Sequence, residues 1–263
     1  MENRISELPE ETATGDRSPE KTQTMEKECI VLAGGLGTRL RGTVDDVPKC
    51  MAPVAGRPFL HYLFDYLERN GFSRVVLSLG YMHETVERWA ASQVRPFRIA
   101  ASVEPTPLGT GGAIALAAEK TTGRQVYVMN GDTFFDADTD AMRGVHEHMG
   151  AAATLALKPM TDFSRYGTVE TDDGGRIRTF REKRHCRHGL INGGIYLLDL
   201  ESGLFDGLGG RFSFETDVLQ ARVSGTVLGG YVSAGYFIDI GVPEDYRQAN
   251  ADFEAMFAHD EKH

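Results

Sequence analysis

Apolar residues along this chain come in short bursts whose spacing switches between two periods. Residues 28–33 hold the unbroken run Cys29-Ile30-Val31-Leu32, too short for a helix, which predicts a buried strand. Phe59, Leu63, Phe64 and Leu67 then recur at helical spacing and predict a helix over 58–70. Pro58 suits its first turn and Gly71 its end. The alternation continues with a strand over 74–79 and a helix over 83–92 that turns Val86, Trp89 and Ala90 inward. A strand over 99–103, an alanine-rich helix over 112–120 and a strand over 125–129 follow. Strands and helices in this order predict a parallel sheet covered on both faces. Ligands of such sheets bind beyond the carboxyl ends of the strands.

The second half reads differently. Residues 166–170 and 176–182 are strand-like and flank Thr171-Asp172-Asp173-Gly174-Gly175, a hairpin signal. Further strands are expected over 195–200 and 236–240. Ser213 with Glu215 and Asp217 marks a helix start, and 245–257 a terminal helix. The fold class expected is α/β: a Rossmann-like mixed, mostly parallel sheet flanked by helices, with a small β-rich lobe. Residues 1–26, rich in Glu, Thr, Ser and Pro, have little to bury and read as a disordered tail. Residues 27–263 read as a single domain, with 207–210 a loop inside it.

Charge and cysteine content narrow the classes. A net charge of −10 argues against a nucleic-acid binder or a membrane-surface binder. Cys29, Cys50 and Cys186 are widely spaced and read as reduced thiols, which points to the cytoplasm. No apolar run is long enough to span a bilayer, and the amino-terminal stretch lacks the apolar core of a signal peptide.

Against that acidic background, the first strand breaks into glycines and is followed at once by Arg39, Arg41 and Lys49. Glycines let a ligand approach the backbone, whose N–H groups can bind a base edge or phosphate oxygens. Arg39 and Lys49 add the positive charge a triphosphate demands. No Gly-Lys-Ser/Thr closes the loop as in a P-loop, and the third glycine of the dinucleotide fingerprint is missing. A tight turn with surface cations is the plain alternative. Asp132 lies just past one strand and Asp239 near the end of another. Two carboxylates with phosphate oxygens and water suit Mg²⁺; singly, each is as readily a turn or cap residue. Asp136, Asp138 and Asp140 are expected to be solvated and structural.

The string Leu32-Ala33-Gly34-Gly35-Leu36-Gly37-Thr38-Arg39-Leu40, then Pro48-Lys49, then Pro53-Val54-Ala55-Gly56-Arg57-Pro58, resembles the signature of the sugar-1-phosphate nucleotidyltransferases. The likeness extends to about Asn250. Within that family, the segment from Arg39 to Leu60 and the ending from Gly235 to Tyr246 look most like the guanylyltransferases acting on D-glycero-α-D-manno-heptose 1-phosphate. Mannose-1-phosphate guanylyltransferases are a near second, and thymidylyl- or uridylyltransferases a further alternative.

The resemblance implies the nucleotidyltransferase fold, with the β-rich lobe holding the sugar. It implies a transferase that joins a nucleoside triphosphate, GTP favoured, to a sugar 1-phosphate, and it leaves room for a homodimer. It also implies roles for residues. Arg39, Lys49, Asp132 and Asp239 would be catalytic, the two aspartates holding Mg²⁺. Leu32, Ala33, Gly34, Gly35, Glu104, Gly109, Thr110 and Gly131 would bind the nucleotide. Tyr166, Gly167, Glu182, Lys183, Asn192 and Gly194 would surround the sugar phosphate. The loop from Glu104 to Gly112 would read the base. An ionised Glu104 only accepts hydrogen bonds, and guanine offers two adjacent donors where uracil and thymine offer one between two oxygens. Capping of its own loop is the alternative role for Glu104.

Other features carry less. Arg181–His188 contains His185, Cys186 and His188, too closely packed for usual zinc spacings, and reads as a mobile basic loop. Tyr81, Met82 and Trp89 are expected to pack. A non-catalytic sensor would be expected to lack a metal aspartate or a signature cation. A glycosyltransferase could use Asp136-Ala137-Asp138 or Asp138-Thr139-Asp140, but would leave residues 32–58 unexplained.

Overall fold

The computed structural model describes residues 26–35 and 47–257. The expected tail over 1–26 lies outside the described residues except for Glu26, and so do Arg39 and Arg41. The strands are β1 (Lys27–Leu32), β2 (Pro53–Val54), β3 (Arg57–Pro58), β4 (Phe72–Leu79), β5 (Arg98–Val103), β6 (Gln125–Asn130), β7 (Thr133–Phe135), β8 (Ala153–Phe163), β9 (Thr168–Thr171), β10 (Ile177–Arg181), β11 (Cys186–Asp199), β12 (Leu228–Val232) and β13 (Phe237–Asp239). The α-helices are α1 (Phe59–Arg69), α2 (His83–Ala91), α3 (Gly109–Ala118), α4 (Thr139–Met149) and α5 (Pro243–Phe257).

Among the described residues the main sheet has nine strands, ordered β10-β9-β11-β6-β1-β4-β5, with β8 paired to β11 and β12 to β8. β6, β1, β4 and β5 run parallel, and β11 joins them antiparallel. A mixed sheet flanked by helices is therefore the architecture. In β1, Cys29 and Val31 face one apolar layer and Ile30 the other, which is why this strand reads as a continuous apolar run. The first layer packs Phe59 and Phe64 of α1, Val86 of α2 and Phe253 of α5. The second packs Ile114 of α3 with Phe214 and Val218 of a π-helical segment, Phe214–Gln220. Fully burying one such phenylalanine contributes roughly 1.5–3 kcal/mol.

Three elements depart from the expected pattern. α3 starts three residues earlier than 112, because Gly111 and Gly112 press on the chain at Gly210–Phe212, where a β-carbon on Gly111 would lie 2.3 Å from the Phe212 ring. Asp138 is the N-cap of α4, its side chain accepting from the Asp140 and Ala141 amides at 2.9 Å. Half of the basic stretch Arg181–His188 is strand, with Cys186 paired to Phe163 and His188 to Thr161, and residues 182–185 form the connection. Tyr81 does not pack as expected, being 55% exposed, whereas Trp89 lies against Phe64 at 5.2 Å between ring centroids. Among the described residues, no helix is long and apolar enough to cross a membrane.

Candidate active site

The carboxyl ends of the parallel strands build one floor. β1 and β6 end side by side at Leu32 and Asn130. The Gly131 amide donates to Leu32 O at 2.9 Å, and a β-carbon on Gly131 would stand 2.6 Å from that oxygen. The Ala33 amide donates to Ser78 O at 2.8 Å, and the Glu104 amide to Leu79 O at 2.8 Å. A β-carbon on Gly34 would meet Gly80 N at 3.0 Å and Glu104 Oε1 at 3.2 Å. Leu32, Ala33, Gly34, Glu104 and Gly131 are thus adjacent, although three chain segments supply them. Gly35 has open space around its α-carbon.

The loop that leads into α3 is held from both ends. Glu104 Oε2 accepts the Leu108 amide at 2.7 Å. Gly109 has φ +72°, and its α-carbon lies so close to Phe212 that a β-carbon would be 2.5 Å from the carbonyl oxygen. The Thr110 hydroxyl donates to Glu215 Oε2 at 2.8 Å and accepts from the Phe214 amide at 2.9 Å. Its side chain therefore anchors the loop to the 212–215 segment.

Charge gathers beside this floor. The 3₁₀ turn Lys49–Met51 is fixed by its buried residues Cys50 and Met51, so Lys49 is presented from a firm base. Lys49 Nζ lies 2.5 Å from Asp132 Oδ2 and 3.5 Å from Asp239 Oδ1. The pairing of β7 with β13 sets Thr133 opposite Asp239, and the Ile240 amide donates to Asp132 O at 3.0 Å. That short two-stranded sheet brings together aspartates more than a hundred residues apart. The Asp239 carboxyl is raised above its ordinary range by burial and by the negative charge of Asp132, against the opposing pull of Lys49. The Cys50 thiol beneath is pushed up to about 12, by burial and then by Asp132, so it stays protonated. Two crowded carboxylates offering hard oxygen atoms are a donor set that fits a divalent cation such as Mg²⁺.

The β-rich side supplies the remaining motifs. The Tyr166 ring meets Phe237 edge-on at 6.0 Å, and Phe237 meets Phe135 at 5.7 Å. Burial, and then the Asp239 charge, push the Tyr166 phenol up to about 12. A β-carbon on Gly167 would stand 2.4 Å from Arg181 O, at the end of β10 where Glu182 and Lys183 follow. Glu182 and Lys183 are exposed and make no ion pair among the described residues. Asn192 is engaged at both ends: its Nδ2 donates to the Tyr196 hydroxyl at 2.8 Å, and its Oδ1 accepts the Gly194 amide at 3.1 Å. Gly194, with φ +76°, sits against Asn130. The β11–β8 register shifts between Asn192 and Tyr196, so this turn is a bulge in the strand. Gly193 lies between Asn192 and Gly194 in the turn expected on the sugar side, whereas Gly241 was given no role by sequence reading. A β-carbon on Gly193 would run into Phe135 at 2.4 Å, and Gly241 leaves space for Asp239 and Lys49.

Residues 28–256 match the family model described as nucleotidyl transferase. The chain belongs to that family. It is 45% identical over 227 residues to a D-glycero-alpha-D-manno-heptose 1-phosphate guanylyltransferase of Aneurinibacillus thermoaerophilus, covering 86% of this chain and 98% of that protein. It is 42% identical over 219 residues to the protein of the same name from Campylobacter jejuni, covering 83% and 96%. The crystal structure of HddC from Yersinia pseudotuberculosis complexed with GMP-PN superposes with a TM-score of 0.76 at 33% identity, covering 86% of this chain and 99% of that one. The family matched is the one that the signature at residues 32–58 resembles.

Proposed function

We propose that this nucleotidyl transferase is a sugar-1-phosphate guanylyltransferase, converting GTP and D-glycero-α-D-manno-heptose 1-phosphate into GDP-heptose and pyrophosphate in the cytoplasm. The observation that carries the reading is the meeting of Lys49 with Asp132 and Asp239 beside the Gly34–Glu104 floor, in a chain of this family. The names of the two similar guanylyltransferases support the choice of base and sugar.

An oxygen of the sugar phosphate attacks the α-phosphorus of GTP, and the bond to the departing pyrophosphate breaks. The protein need form no covalent bond, so its work is positioning and charge stabilisation. The backbone at Leu32–Gly35 and Gly131 supports the nucleoside, and Glu104 faces the base edge. Lys49 sits where two phosphate anions must approach each other, and its ammonium offsets their repulsion. Arg39, by its place in the signature, neutralises the pyrophosphate. Asp132 and Asp239 would hold Mg²⁺, which when bound supplies a Lewis acid for the phosphate oxygens. In the structure described here, the Lys49 ammonium stands against both carboxylates and partly offsets their repulsion. Tyr166, Gly167, Glu182, Lys183 and Asn192-Gly193-Gly194 form the sugar side, Glu182 accepting hydroxyls and Lys183 binding the incoming phosphate.

Pyrophosphate release from a matrix of GTP, ATP, UTP and dTTP against heptose 1-phosphate, mannose 1-phosphate and glucose 1-phosphate tests this. The fastest turnover is expected for GTP with the heptose phosphate. Greater kcat/KM with mannose 1-phosphate would reassign the sugar, and preference for UTP or dTTP would overturn the base.

A further inference from the structure

We infer that Arg165 is a positioning residue for the sugar 1-phosphate, clamping the 164–167 loop to the amino end of α5 and holding Tyr166 against Phe237. The inference rests on the function proposed above and goes beyond it by assigning a residue pair outside the expected site. Arg165 Nη2 donates to Asp245 Oδ2, joining residues eighty positions apart. The same nitrogen lies 3.3 Å from the Tyr166 hydroxyl, and the guanidinium carbon stands 5.5 Å from the centre of that ring. A planar cation can pair with a carboxylate and lie over an aromatic face at once; an ammonium does one or the other well. Asp245 lies in the first turn of α5, where a carboxylate is favoured by the helix dipole.

What the clamp holds is a chain of contacts through the sugar side. Tyr166 leans on Phe237, Phe237 on Phe135, and Phe135 fills the space over Gly193. Gly167 backs on Arg181 O, immediately before Glu182 and Lys183. Asp239 lies two residues beyond Phe237 on β13. A loop released from α5 would loosen Tyr166 and its neighbours while leaving Glu104 and the Gly34 floor untouched. Arg165 is 46% exposed, so the ion pair adds little to global stability, and its effect belongs in substrate binding.

The test compares Arg165→Ala, Asp245→Asn, the double variant, Arg165→Lys and the swap Arg165→Asp with Asp245→Arg in the full chain. Each single removal should raise KM for the sugar 1-phosphate by about tenfold, as residues in contact commonly couple at that scale. KM for GTP should stay within about twofold, and Tm should hardly move. The double variant should be no worse than either single one, Arg165→Lys should recover part of the loss, and the swap should recover some of it too. Amide hydrogen exchange, which needs no turnover, should speed up at 164–167 and 243–246 in Arg165→Ala. Unchanged exchange, equal rises in KM for both substrates, or additive losses in the double variant would overturn the clamp. A parent enzyme without activity on any pair in the matrix, but with faster exchange in the variant, would overturn the proposed function and leave the clamp standing.

Discussion

Gly241 presents a bare α-carbon to Asp239: a β-carbon there would stand 2.9 Å from Oδ1 and 3.2 Å from Lys49 Nζ. The Gly241 amide also donates to Asp239 Oδ1 at 2.8 Å, so this glycine both holds the carboxylate and leaves it room. Gly241→Ala should push Asp239 and Lys49 apart without disturbing the apolar layers. Misplacement of this kind can lower turnover by about 10²-fold. Steady-state kinetics beside a thermal melt checks it, the expected result being a large loss in kcat with Tm nearly unchanged.

Asp239 carries a charge that burial and Asp132 both disfavour. Asp239→Asn should therefore keep or raise Tm while lowering turnover by orders of magnitude. Asp132→Asn should lose turnover to a similar extent, and EDTA should abolish activity in the parent enzyme. Full activity after metal removal, checked by elemental analysis of the same sample, would remove the metal role from both aspartates.

Lys49→Met tests the cation itself. A charge-assisted contact contributes about 1.5–3 kcal/mol, and more in a site that excludes water. The loss should be at least about tenfold and should fall on kcat, because the two phosphates crowd together most in the transition state. Single-turnover rates separate this from a mere weakening of KM, which would contradict the role.

The alternation of strands and helices, and the residues of the floor, were legible because local rules and global fold agree there. Period switching located β1, α1, β4, α2 and β6, and the glycine run after β1 falls where Gly34 closes on Gly80 and Glu104 and Gly35 has open space. The elements that were missed lie where those signals are weak. β8 opens with Ala153-Thr154-Leu155-Ala156-Leu157, buried at every position, so no in–out alternation is there to read. β12 contains Gly229 and Gly230, which weaken a strand signal, yet a β-carbon at Gly230 would meet Leu157 at 2.7 Å. Asp138 is solvated and structural as expected, but its structural role is to cap α4, a helix the apolar spacing did not reveal. In the site, Asp132 and Asp239 could be picked by position, but their meeting depends on the β7–β13 pairing, a long-range contact no local pattern encodes. The anchoring of Thr110 to Glu215 and the two-ended engagement of Asn192 are likewise tertiary facts.

His146 gives a pH test away from the site. It is buried in α4 with Nδ1 2.9 Å from Thr154 Oγ1, and burial lowers its pKa. The folded chain therefore resists protonation while the unfolded chain takes up a proton near its ordinary pKa of about 6.5. Stability from this group is complete above that value and is lost as pH falls through it towards the lowered folded pKa. His61, also lowered chiefly by burial, acts in the same sense, and His83, raised by its bond to Glu87, in the opposite one. The clean readout is the difference between parent and His146→Gln in denaturant melts from pH 8 to about 5. The parent should lose more stability on acidification than the variant does, and parallel curves would show that His146 does not carry the effect.

In the function proposed above, Glu104 would select the base. Its Oε2 accepts the Leu108 amide at 2.7 Å, so the carboxylate does cap its own loop. That bond fixes the side chain and leaves Oε1, on the Gly34 side, with no donor among the described residues. Capping and base reading are thus compatible: one contact orients the carboxylate, and its remaining acceptor sites face the floor where a base would lie. Guanine brings two adjacent donors to such an edge, whereas uracil and thymine bring oxygens that the charge repels. Glu104→Gln keeps a carbonyl that can still accept the Leu108 amide, so the loop should hold. It replaces one acceptor by a donor, and a lost paired contact costs about 1–3 kcal/mol. For the parent, kcat/KM should be highest with GTP. In the variant it should fall by about tenfold or more for GTP, and by clearly less for UTP or dTTP. Equal losses with every triphosphate would make Glu104 a loop cap only, and base selection would then have to come from other residues of the floor.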